Sequence, residues 1–217
     1  MTLDLPLIVT AIGGLGTAAF GLVDATKVFG GGVNHIGFRG IRAAVQQLTE
    51  PGQPANALSQ KKILATLQSN WMNGTDLGGQ KDVAKSLIKL NLRPRNACAL
   101  AEATGVDPAD LTAIATRIAA GTSLSSAESD IFARFDLIVT VLIDAAYHHS
   151  DQVYRNWTRA LAAAIAIALA LAGGYVLHVN LALAVLVGLL ATPLAPIAKD
   201  VSSALAMAVN ALQLVRK

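Results

Sequence analysis

The chain reads as an all-α integral membrane protein with three transmembrane helices, and three observations carry that reading. Hydrophobic residues fill 53% of its 217 positions against 14% charged, and the mean hydropathy is +0.51, a balance foreign to ordinary soluble domains. Two uncharged runs, residues 5–23 and 160–198, match one and two bilayer crossings at about 1.5 Å of rise per residue. Elsewhere the apolar spacing is helical, and no alternating strand run appears.

The first run is bracketed by Asp4 and Asp24. A secretory leader would carry positive charge ahead of its apolar core, whereas here Asp4 comes first and Lys27 follows, so the run is read as a retained span. Within it Gly13, Thr17 and Gly21 recur every fourth residue. Small residues at that spacing let two helix backbones approach, which makes this row the expected oligomer contact. Asp24 and Lys27, three apart, are expected to pair near the membrane surface. Residues 36–40, Ile36-Gly37-Phe38-Arg39-Gly40, are read as a juxtamembrane turn with Phe29 and Phe38 as aromatic anchors.

A set of short helices follows, at residues 41–48, 58–71, 81–92, 96–104 and 108–120. A loop is expected at residues 50–54 and a turn-rich stretch at 73–79. Asp107 before Pro108 marks an N-cap with proline at the first helical position, and Gly121 marks the end. The single cysteine, Cys98, has no partner for an intrachain disulfide and is read as a small buried helix residue.

Leu100 to Ile114, with Ala101, Gly105, Val106, Leu111 and Ile114 in the packing positions, resembles the helix-turn-helix of repressor-type DNA-binding domains. In that family, basic and amide side chains on the second helix meet the DNA; here Thr112, Thr116 and Arg117 occupy it behind Asp107 and Asp110. The resemblance thus implies a helix-turn-helix corner more than a DNA reader.

From Ser125 a long helix is predicted, opened by a capping box between Ser125 and Glu128, with nothing to stop it before Gly173-Gly174 in the stretch that ends at His178. Asp136, Thr140, Asp144, His148, Asp151 and Arg155 form one polar stripe along it; Ile131, Phe135, Ile138 and Leu142 form an apolar one. Asp144, His148 and Asp151 share a face that offers oxygen, nitrogen and oxygen donors, a polar or metal-capable face. Tyr154, Arg155, Trp157 and Arg159 mark the membrane surface, where amphipathic rings and cationic heads sit. Beyond them residues 160–198 fold back as a hairpin turning near His178-Val179-Asn180, with Pro193 and Pro196 in the last span and an amphipathic tail after Lys199.

The resulting divisions are a first span at 1–29, a cytosolic small-helix domain at 30–124, the long helix running into the second span at 125–179, and the third span with its tail at 180–217. All seventeen Lys/Arg fall outside residues 1–26 and outside the hairpin turn. Basic loops stay in the cytosol, so the N-terminus is expected outside and the C-terminus inside a cell (inner) membrane. A glycine-rich first span with Gly16-Thr17, a cytosolic insert and helices running out of the membrane also resembles the proton-driven stator family. Its glycine spacing and span order differ, and no role is carried over from it.

The thirteen Lys/Arg of residues 39–159 are nearly balanced by eleven Asp/Glu, so no polyphosphate-binding stripe is implied. No nucleophile motif, phosphate loop, HExxH or CxxC is present. The expectation is therefore a non-enzymatic, homo-oligomeric membrane scaffold or signal-coupling subunit with no catalytic residues, metal or cofactor. Its partners are the bilayer and other copies, and nucleic acid is not expected. An oligomeric ion channel or pore and a membrane-anchored helix-turn-helix DNA-binding protein stand as alternatives.

Overall fold

The computed structural model describes residues 5–28, 31–49 and 59–196. All of its regular structure is helical, with no strand among the described residues: α1 (Leu5–Thr26), α2 (Val33–Gln47), α3 (Gln60–Met72), α4 (Leu77–Leu90), α5 (Ala97–Thr104), α6 (Pro108–Ala119) and α7 (Ser126–Val176). After a turn at Leu177-His178, α8 runs over Leu181–Pro196. The all-α expectation holds. The loop at residues 50–54, the anchor Phe29, Leu58 and the tail from Lys199 lie outside the described residues.

Local chemistry sets most boundaries. The Asp107 carboxylate accepts from the N–H groups of Ala109 (2.8 Å) and Asp110 (3.1 Å), starting α6 as anticipated. The capping box of α7 forms as well: Glu128 Oε2 accepts from the Ser125 N–H at 2.8 Å, and Ser125 Oγ accepts from the Glu128 N–H at 3.3 Å. Hydrogen bonds from the Ser125 backbone and hydroxyl, aided by Arg117, hold the Glu128 carboxyl below its ordinary range. Gly105 closes α5 with a φ of 65°, a left-handed conformation that glycine adopts without strain.

Three sequence expectations are corrected. The stretch read as turn-rich at 73–79 contains the start of α4, because the Asp76 carboxylate caps the helix by accepting from the Gly79 N–H at 2.7 Å. The stretch read as a juxtamembrane turn at 36–40 lies inside α2, and Phe38 is buried in the core instead of anchoring at a surface. Its glycines serve close packing: a Cβ on Gly37 would sit 2.8 Å from Tyr154 Cβ, and one on Gly40 would sit 2.6 Å from Ser150 Oγ. Cys98 is exposed, because Ala97, Leu100, Ala101 and Thr104 occupy the inward face of α5.

The chain divides into two compact units, one of Met1–Val33 with Arg155–Lys217 and one of Asn34–Tyr154. In the second, Phe135, Val139, Ile143 and Tyr147 stand four apart on α7 and are fully buried. They belong to one core with Phe38, Ile41 and Val45 of α2, Ile63 and Leu67 of α3, Ala84 and Ile88 of α4, and Leu100 and Leu111 of the α5–α6 corner. Each fully buried Val, Leu, Ile or Phe among them contributes roughly 1.5–3 kcal/mol of transfer free energy. Among the described residues of the first unit, packing is by small residues. A Cβ on Gly16 would run into the Ala191 carbonyl, and one on Gly188 would sit 2.6 Å from Ile167 Cα. Two helices, Ile8–Thr26 within α1 and the 51-residue α7, are long and apolar enough to cross a membrane, while α8 as described is shorter.

Candidate functional site

The polar stripe of α7 is where sequence and structure meet most directly. Asp136 and Asp144 do not face open water alone: Lys89 Nζ lies 2.9 Å from Asp136 Oδ1, and Lys85 and Lys81 lie 3.1 and 3.6 Å from Asp144 Oδ1. Lys81, Lys85 and Lys89 recur at steps of four and so line one face of α4. The later lysine meets the earlier aspartate, which makes α4 antiparallel to this part of α7. Gln80, Ala84 and Ile88 sit beside the lysines on the face that α4 buries. Partial burial works to raise the Asp144 carboxyl, but hydrogen bonding and charge from Lys85, with Lys81 behind it, hold it below its ordinary value.

His148 is exposed and Asp151 half-buried, so the three-residue face read from the sequence is divided among different environments. Asp144 belongs to the α4 ladder, and among the described residues no three His, Cys, Asp or Glu side chains gather into a metal-holding group.

One turn further along α7, Tyr147 is fully buried and its hydroxyl is pushed well above the ordinary phenol range by desolvation. Trp71 meets it edge-on at 6.5 Å and meets Tyr154 at 6.0 Å, while its indole N–H donates to the Asn34 carbonyl at 3.1 Å. The Ile41 N–H donates to Ser150 Oγ at 3.1 Å. Gly37 and Gly40 let α2 close on this point of α7. The sequence shows the glycine pair plainly, but nothing local distinguishes a packing pair from a turn.

No family model, no curated protein and no solved structure matches this chain. The residues themselves therefore carry the functional reading.

In the first unit, Asp24 and Lys27 pair at 2.7 Å as anticipated. Gly13, Thr17 and Gly21 do not share one environment. Gly13 is buried, Thr17 is exposed with its hydroxyl donating to the Gly13 carbonyl at 3.0 Å, and Gly21 is exposed with open space where a Cβ would stand. The close approach within the chain uses Gly16, which the every-fourth-residue pattern passes over. Arg155, Trp157 and Arg159 are exposed on α7, with Trp157 at 52%, and Tyr154 is half-buried against Trp71.

Proposed function

We propose that the chain is a non-enzymatic, homo-oligomeric integral membrane protein that serves as a scaffold or coupling subunit of a cell (inner) membrane. Its three spans are α1, the apolar part of α7 and α8 with the uncharged residues after it; the N-terminus is outside and the C-terminus in the cytosol. The observation that carries the reading is on α1. The chain's own close contact consumes Gly16, while Gly14, Thr17, Ala18 and Gly21 stay exposed. A small-residue surface on an apolar helix gains nothing from lipid and gains dispersion contacts from a second helix. The distribution of Lys and Arg supports the orientation.

The test is Thr17→Leu combined with Gly21→Leu, both directed into space that the chain leaves open. Purified variant and parent are compared for oligomer size in detergent and for ion flux in liposomes. A smaller particle without flux in either form is the expected result. Unchanged oligomer size overturns the role of α1, and flux that disappears with the oligomer transfers support to the pore.

A further inference from the structure

We infer that the polar face of α2 is a docking surface for anionic lipid headgroups, a proposal that rests on the membrane reading above and adds a partner to it. His35, Arg39 and Arg42 stand at i, i+4 and i+7, so they share one face, and all three are exposed. The fifteen residues of α2 include no Asp or Glu. Among the described residues neither arginine forms an ion pair, and the Arg42 guanidinium instead rests over the Phe38 ring at 5.6 Å. This contrasts with α4, whose three lysines all meet aspartates.

Chain connectivity places this face. The second unit begins at Asn34 and ends at Tyr154. Those ends are together, because Gly37 packs on Tyr154 and Trp71 binds the Asn34 carbonyl. Both connections to the apolar helices thus leave from one end of the unit, and chain connectivity alone keeps that end near the headgroups when α1 and the apolar part of α7 are in the bilayer. Arg39 and Arg42 lie about 9 and 14 Å along α2 from Val33. That is comparable to the ~10 Å over which a charged leaflet's potential decays at 0.1 M salt. Because Phe38, Ile41 and Val45 are buried in the core, α2 has no apolar face to insert, and the attraction is electrostatic.

The full-length protein is purified in mixed micelles with equimolar phosphatidylglycerol and phosphatidylcholine, and retained lipids are counted by native mass spectrometry. Wild type is expected to favour phosphatidylglycerol. Arg39→Gln with Arg42→Gln weakens that preference by roughly fivefold per charge at low salt. Arg93→Gln with Arg95→Gln serves as the matched control. Those residues follow α4 at the end pinned to Asp136, and residues 136–154 of α7 span about 27 Å. An equal loss in both double variants, or none in the first, overturns the proposal while leaving the membrane reading intact. Alkaline extraction of the wild type from native membranes is run alongside. Release into the soluble fraction overturns both readings together.

Discussion

At the scale of single residues, glycine decides the close contacts, and identical residues do different work. Gly37 lies under Tyr154 and Trp71, with an added Cβ only 2.8 and 2.9 Å from their atoms, whereas the same carbon on Gly21 meets nothing within 4 Å. Alanine in a helix gains up to about 1 kcal/mol of propensity over glycine. Overpacking a filled contact costs roughly 1–3 kcal/mol. Gly37→Ala is therefore expected to lower stability by up to about 2 kcal/mol, the overpacking cost less the propensity gain, and Gly21→Ala to leave it unchanged or slightly raised in monomeric protein. A melting curve of each variant in the same detergent checks the sign, and equal behaviour would remove the packing role assigned to Gly37. Both glycines were visible in the sequence, but a helical glycine carries no local mark of what stands opposite it.

Among elements, the informative pair is α4 with α7. Capping predicted α6 and the start of α7 correctly because a cap is satisfied within three or four residues of chain. The start of α4 is hidden in a stretch of turn-like composition, although Asp76 and Gly79 stand at the same separation as the other caps. In the sequence the lysine ladder is only a spacing of four; its aspartate partners stand 47 to 63 residues away. Each Lys–Asp pair, being partly exposed, contributes on the order of 0.5–1 kcal/mol. Lys85→Ala is expected to loosen α4 by about that amount, seen as faster amide exchange in residues 77–90. The pH effect has a definite sign. The Asp144 carboxyl is held below its unfolded value, so its contribution is complete above the ordinary carboxylate range near pH 4 and is lost as pH falls through the lower folded value. Amide protection in α4, taken relative to the intrinsic exchange rate at each pH, should fall on acidification below about pH 4 in the parent and change less in Asp144→Asn.

For the whole molecule, the proposed topology is tested by reporters. A fusion after Lys217 should be active only in the cytosolic form, and an insertion at Asn180, in the turn after α7, only in the external form. The opposite pattern would invert the orientation and remove the headgroup assignment of α2. The divisions drawn from the sequence gave α7 to one segment from end to end. By contact, its residues through Tyr154 group with the small helices, and those from Arg155 group with α1 and α8. Composition changes at nearly the same place, at the Tyr154-Arg155-Asn156-Trp157 stretch, so that division was half visible.

What the sequence by itself determined is the helical character of the chain, the caps that open α6 and α7, its two long apolar runs and the polar stripe of α7. All of these depend on hydrogen bonds and periodicities closed within a few residues. Only the tertiary structure decided that Gly16, Gly37 and Gly40 are contact points, that Asp136 and Asp144 belong to lysines of α4, and that Cys98 faces outward. Those outcomes turn on which distant segment occupies the facing surface. That occupant is chosen by burial summed over the whole core, a quantity no local pattern contains.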